Sequence, residues 1–164
     1  MNRICWTTRI VVTTLVLLGL VRSAAAGPQV PFQGTITASE VSVITSFPLV
    51  TYNWKFSGQA THFGRCTGVF QATINVLTTA RATSITLTAP NGDSISGIYN
   101  WDSAPSGKLN IVTVTTTFRI TGGTGRFAGA SGGGSGTGQF NTVTGMGTGV
   151  FNGTVSSPGA NKKK

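Results

Sequence analysis

The sequence predicts an all-β protein: an antiparallel barrel of about eight strands, closed or nearly closed, following a cleaved signal peptide. Three observations carry this. Beyond the first 26 residues, apolar and polar side chains alternate with a period of two in run after run, as half-buried strands require. No stretch there repeats apolar residues at helical spacing, and Thr, Ser, Gly, Val and Ile prevail over helix formers. The runs are long and their connections short, which suits staves tilted around a barrel and leaves no room for crossover helices.

Residues 1–26 read as an export signal. Arg3 and Arg9 form a positive start, residues 10–21 are a largely apolar run, and Ala24, Ala25 and Ala26 offer small residues for cleavage before Gly27. The run is shorter than the ~20 residues that span a bilayer. No membrane span is therefore expected, and the chain is expected to be secreted or periplasmic. Residues 27–157 are enough for one domain with a core of its own. Cys66 is the one cysteine beyond the signal, so no internal disulfide is available; it reads as a small buried hydrophobe, with a free thiol or an intermolecular bridge as the alternatives. Residues 158–164 end in Lys162, Lys163 and Lys164 and are expected to form a disordered basic tail.

Along the chain, Ile36 and Ala38 give way to Val41 and Val43, a switch of parity that points to a bulge or bend near Ser39 and Glu40. Residues 50–62 alternate as Val50, Tyr52, Trp54, Phe56, Gly58, Ala60 and His62 against a polar face, a strand of about thirteen residues. Phe70, Ala72, Ile74 and Val76 make the next run, then Ile85, Leu87 and Ala89. Ile95, Gly97, Tyr99 and Trp101 follow, with Ile98 breaking the polar face, and then Val112, Val114, Thr116, Phe118 and Ile120. Between two of these runs Asn91-Gly92 accepts the positive φ of a type I′ hairpin turn.

The last third is glycine-rich but keeps the strand period. Gly132, Gly134, Gly136 and Gly138 share parity and lead to Phe140; Gly145, Gly147 and Gly149 lead to Phe151. Glycines on one face let a strand coil sharply, or let a neighbour's aromatic ring lie over the backbone. Thr-Gly-x-Phe occurs four times, ending at Phe70, Phe127, Phe140 and Phe151, as one local device reused at equivalent corners of the barrel.

Residues 118–130 hold Gly122, Gly123, Thr124, Gly125 and Phe127, a strand end, a glycine turn allowing positive φ and an aromatic tucked back to the core. This is a structural corner; no Lys-Ser/Thr follows and no helix opens, so it is not a phosphate loop. The segment resembles the Gly-Gly-Thr-Gly-x-Phe turn of the allene oxide cyclase and dirigent barrel superfamily, shared with secreted bacterial proteins of that barrel. The resemblance implies a small barrel of about eight strands enclosing an apolar pocket. It implies no activity. The cavity glutamate of plant allene oxide cyclases, which act on a fatty-acid epoxide, aligns with none of Glu40, Asp93 or Asp102. The pocket aspartates and arginines of dirigent proteins have no counterpart either.

The chemistry available is sparse. The formal charge is +9; without Arg3, Arg9 and Arg22, nine Lys and Arg face three carboxylates, a net +6. Outside the tail these cations are scattered, so no nucleic-acid stripe is expected. One histidine, one cysteine and three dispersed acids give no metal-ligand spacing and no nucleophile elbow. His62 and Cys66 would lie roughly 13 Å apart along a strand; only a turn at Gly64 would join them as a nucleophile pair. Asn152-Gly153-Thr154 fits a glycosylation sequon. There remain the aromatics on apolar faces: Tyr52, Trp54, Phe56, Tyr99 and Trp101, with Phe70 and Phe118. They either fill the barrel or line a pocket for a small apolar molecule. The sequence is therefore read as a non-catalytic secreted barrel, without cofactor or metal, that binds a small hydrophobic ligand. A cyclase-like isomerase and a cell-surface or matrix protein using residues 162–164 are the alternatives.

Overall fold

A computed structural model describes residues 27–156. The proposed signal and the basic tail lie outside the described residues. Eight strands follow in order: β1 (Gln29–Ser46), β2 (Leu49–Ala60), β3 (Gly64–Asn75), β4 (Arg81–Thr88), β5 (Ser94–Pro105), β6 (Ile111–Gly123), β7 (Gly132–Asn141) and β8 (Met146–Ser156). Each pairs antiparallel with the next, and β8 pairs with β1 to close the barrel. One 3-10 turn, Gly125–Phe127, bridges β6 and β7.

The inward face is the apolar face read from the sequence. Trp54 sits opposite Phe70 across β2 and β3, and Tyr99 opposite Phe118 across β5 and β6. Outward positions carry Thr, Ser, Asn, Gln and Lys, as at Thr51, Asn53, Lys55 and Ser57. This is the reverse of a lipid-spanning barrel, whose apolar band faces out. Among the described residues, no helix is long and apolar enough to cross a membrane.

The parity switch in β1 is a bulge: Glu40 pairs with Trp54 and Ser42 with Asn53, leaving Val41 extra. A second bulge leaves Thr121 of β6 extra, between the Gly97–Ile120 and Ser96–Gly122 pairs. Strands and turns define two unlike ends. At one end Phe63, from the β2–β3 turn, stacks on Phe127, from the β6–β7 turn, with centroids 4.4 Å apart and an interplanar angle of 13°. Phe32 packs 5.9 Å from Phe63, and Leu87, Ile95, Ile120 and Val155 complete this buried plug. At the other end lie the β1–β2, β3–β4, β5–β6 and β7–β8 turns, and no such plug forms among the described residues. The rim there is oblique. β8 begins with Met146 opposite Ser39, so residues 42–46 of β1 pair with β2 alone. The amide of Glu40 donates to the Gly145 carbonyl at 2.8 Å where the two hairpins part.

Four local readings are corrected. The strand from Leu49 stops at Ala60; His62 lies in the turn with φ 67°, its ring nitrogen 3.1 Å from the Pro31 carbonyl oxygen. The turn at Asn91-Gly92 is not type I′, because only Gly92 takes positive φ (87°). Pro90 fixes φ near −65° and sets a type I turn, closed by the Gly92 amide on the Ala89 carbonyl at 2.9 Å, with Gly92 as the left-handed residue that follows. In the glycine corner, Gly125 alone of its three glycines takes positive φ (57°). Gly123 is needed for space instead: a Cβ there would lie 2.7 Å from the Phe127 carbonyl oxygen. Finally, the Thr-Gly-x-Phe repeats do not share a corner. Only the one ending at Phe127 turns the chain, whereas those ending at Phe70, Phe140 and Phe151 lie within β3, β7 and β8.

Candidate functional site

Above the plug the barrel holds a cavity of about 520 Å³, within the range of small-molecule sites. Its two walls follow from two kinds of strand. β2 and β5 place aromatics at alternate inward positions and β3 adds Phe70; β7 and β8 place glycines there. An eight-stranded barrel has room for side chains or one small ligand, so the glycines decide the matter by leaving the β7–β8 side without side chains to fill it.

The aromatic wall is a stack. Tyr52 and Trp54 lie 5.6 Å apart at 9°, and Trp54 and Phe70 4.9 Å apart at 21°. Trp101 meets Phe70 edge-on at 5.6 Å and Trp54 at 6.2 Å. Tyr99 completes the group, 4.7 Å from Phe70. Burial pushes the Tyr99 phenol above its ordinary pKa, and a hydrogen bond to the Thr116 side chain works the other way. The indole N–H of Trp54 is buried and meets no hydrogen-bond acceptor, the one such side-chain atom among the described residues. An unmet buried donor costs about 1–3 kcal/mol, and such a group calls for an explanation.

The opposite wall is backbone. Gly136, Gly138, Gly147 and Gly149 face inward in register, Gly138 opposite Gly149, and Phe140 and Phe151 close the row at either side. As the alternation implied, rings lie over glycines: a Cβ on Gly34 would sit 2.8 Å from the Phe151 ring, and one on Gly68 would strike the ring of Phe56.

Of the five residues singled out for ligand binding, Tyr52, Trp54, Tyr99 and Trp101 share the aromatic wall; all five line the cavity. Phe56 lies lower, in the buried core cluster beneath them. Gly122, Gly123, Thr124, Gly125 and Phe127 belong to the plugged end, with Phe127 fully buried. The sequence reading passed over Phe140 and Phe151 as lining residues, although their parity within β7 and β8 was visible. Of two ionisable groups at the mouth, it weighed Glu40 without assigning it a role and passed over Arg81. Glu40 lines the cavity because it keeps the inward parity of Ile36 and Ala38, the bulge coming only after it. Arg81 lies 5.0 Å over the Trp101 ring and donates to the Trp101 carbonyl at 2.9 Å. Asp93 pairs with Arg126 at 3.3 Å beside the plug, and Asp102 is exposed on β5; neither lines the cavity.

Cys66 is buried among core residues and burial pushes its thiol pKa up, which disfavours the reactive thiolate. The turn at Gly64 does form, but it carries His62 to the Pro31 carbonyl, while Cys66 points into the core. No group of three or more His, Cys, Asp or Glu side chains converges among the described residues. Compared with protein-family models, curated proteins and solved structures, the chain matches none.

Proposed function

We propose that this chain is a non-catalytic binding barrel, working outside the cytoplasm, whose ligand is a small, flat, largely apolar molecule. The observation that carries this reading is the cavity itself, with stacked Tyr52, Trp54 and Phe70 facing a glycine floor-to-rim wall on β7 and β8. A gap between an aromatic stack and bare backbone favours a planar guest, because both faces of the guest meet close-packed atoms.

Native mass spectrometry of the protein from its own host, beside its denatured mass, tests the reading first. An added mass lost on denaturation is the expected result. Titration with the apolar fluorophore N-phenyl-1-naphthylamine tests the cavity directly, and Gly149→Leu, which fills it, should abolish the signal. A bare mass together with no dye binding would overturn the proposal.

A second reading, a cyclase-like isomerase, is favoured by one observation: Glu40 lines the cavity opposite Trp54. A positioned carboxylate is what general acid–base work requires. Incubation with an unsaturated fatty-acid epoxide and chiral analysis of the product decides it. Stereoselective cyclisation lost in Glu40→Gln, with dye binding kept, would replace the first reading.

A further inference from the structure

The turns at the two ends of the barrel treat their large apolar residues oppositely. At the plugged end Phe63, Ala89 and Phe127 turn inward, and His62, Asn91 and Gly92 face solvent. At the mouth every turn presents its apolar residue outward: Phe47 is 76 % exposed, Leu77 67 %, Leu109 89 % and Val143 72 %. One comes from each of the four hairpins. The β1–β2 hairpin adds Val43, Ile44 and Leu49 below its tip, and Met146 adds to the β7–β8 hairpin. Singly exposed apolar residues need no explanation, but a ring of them at one end of a molecule does.

We infer that the mouth docks on a lipid–water interface, with the four hairpin tips inserted and the cavity opening toward the lipid. Three features select lipid as the occupant. First, the tips are separate anchors at unequal heights around an opening, spaced by Ser46, Thr78, Gly107 and Thr144. A rigid protein partner needs a continuous complementary patch of roughly 1,000 Å², whereas lipid closes around isolated anchors. Second, the four turns themselves contain no carboxylate, with Glu40 and Asp102 set back in the strands, and Lys108 stands beside Leu109 at a tip. The inserted edge thus carries a cation and no anion, which suits anionic headgroups. Third, the apolar surface is continuous from the rim inward through Ile74, Val112 and Phe140, which line the cavity. A guest passing between lipid and barrel need not cross water. The inference rests on the rim and stands whichever molecule the cavity takes.

Sedimentation with vesicles of phosphatidylcholine containing phosphatidylglycerol tests it. The protein purified from its own host should pellet with the vesicles. Phe47→Ser with Leu109→Ser should weaken partitioning by roughly tenfold or more, given the transfer cost of two large apolar side chains. Val69→Ser with Val150→Ser, which removes apolar side chains exposed on the outer wall instead, should leave it unchanged. Circular dichroism melts confirm that each variant folds. The proposal fails if wild type does not pellet, or if the two double variants bind alike. Equal binding would assign the attraction to residues 162–164, which both retain. It fails equally if light scattering shows a dimer that the tip variant alone dissolves, without vesicle binding; the rim would then be an interface between copies.

Discussion

Replacing Trp54 by Phe separates the packing of its ring from the cost of its unmet N–H. Trp54 lies between Tyr52 and Phe70 in the stack, and its N–H is buried without an acceptor. Trimming the indole to a phenyl ring removes the equivalent of two or three buried carbons, worth about 2 kcal/mol at 0.8 kcal/mol per methylene. It also removes the unmet donor, which relieves about 1–3 kcal/mol. The two oppose, so the free protein should change by less than about 1 kcal/mol in urea melts followed by circular dichroism. If the N–H were satisfied in the free protein, both losses would add, to about 3 kcal/mol. Binding supplies the second arm. The N–H is shut off from the cavity, so a naphthalene dye bearing a ketone and N-phenyl-1-naphthylamine, which offers no carbonyl, should change affinity alike. Destabilisation of about 3 kcal/mol, or a loss confined to the ketone dye, would refute the reasoning.

Three further outcomes follow from the same geometry. Gly134→Ala should cost roughly 2–3 kcal/mol by overpacking, since its Cβ would lie 2.6 Å from the Gly153 backbone, whereas Gly122→Ala, with open space around it, should be neutral or slightly stabilising; paired thermal melts check the ranking. Phe127→Ala should cost about 3–5 kcal/mol, because it empties the fully buried partner of Phe63 at the plug, and denaturant melts read it directly. Stability should fall in alkali. The pKa values of Cys66 and Tyr99 are raised in the folded state, so both hold their protons where the unfolded chain has released them. Their contribution is full below the unfolded values and is lost as pH rises from about 9 through the raised ones. Cys66→Ala and Tyr99→Phe should each flatten melting temperature against pH between pH 8 and 11; an unchanged slope in both refutes the assignment.

The barrel was legible because strand alternation needs only nearest neighbours, and nearly every inward residue follows it. The bulge after Glu40 was legible for the same reason, as a break in that alternation. The aromatic wall followed once Tyr52, Trp54, Tyr99 and Trp101 were placed on inward faces. What parity could not supply was the pairing of strands. That Gly138 faces Gly149, and so makes a wall rather than a flexible run, depends on the register of β7 against β8. The depth of Phe56, below its neighbours, depends on the plug that Phe63 and Phe127 form from distant turns. The asymmetry between the two ends was hidden for a related reason. Phe47 and Phe63 are both aromatics in tight turns, and only closure of the barrel sends one outward and the other into the core.

The oblique rim bears on what length of guest the barrel accepts. Over residues 41–46, roughly 20 Å of strand, β1 has no neighbour on its β8 side. The upper barrel is thus less a cup than a scoop with one side cut away. A guest longer than the cavity is deep has a lateral slot for its tail, beside Glu40 and Gly145. Selection then acts on thickness, which the gap between Trp54 and the glycine wall sets, and leaves length free. A homologous series of ligands differing only in chain length should bind with affinities that level off, while one added branch near the head abolishes binding.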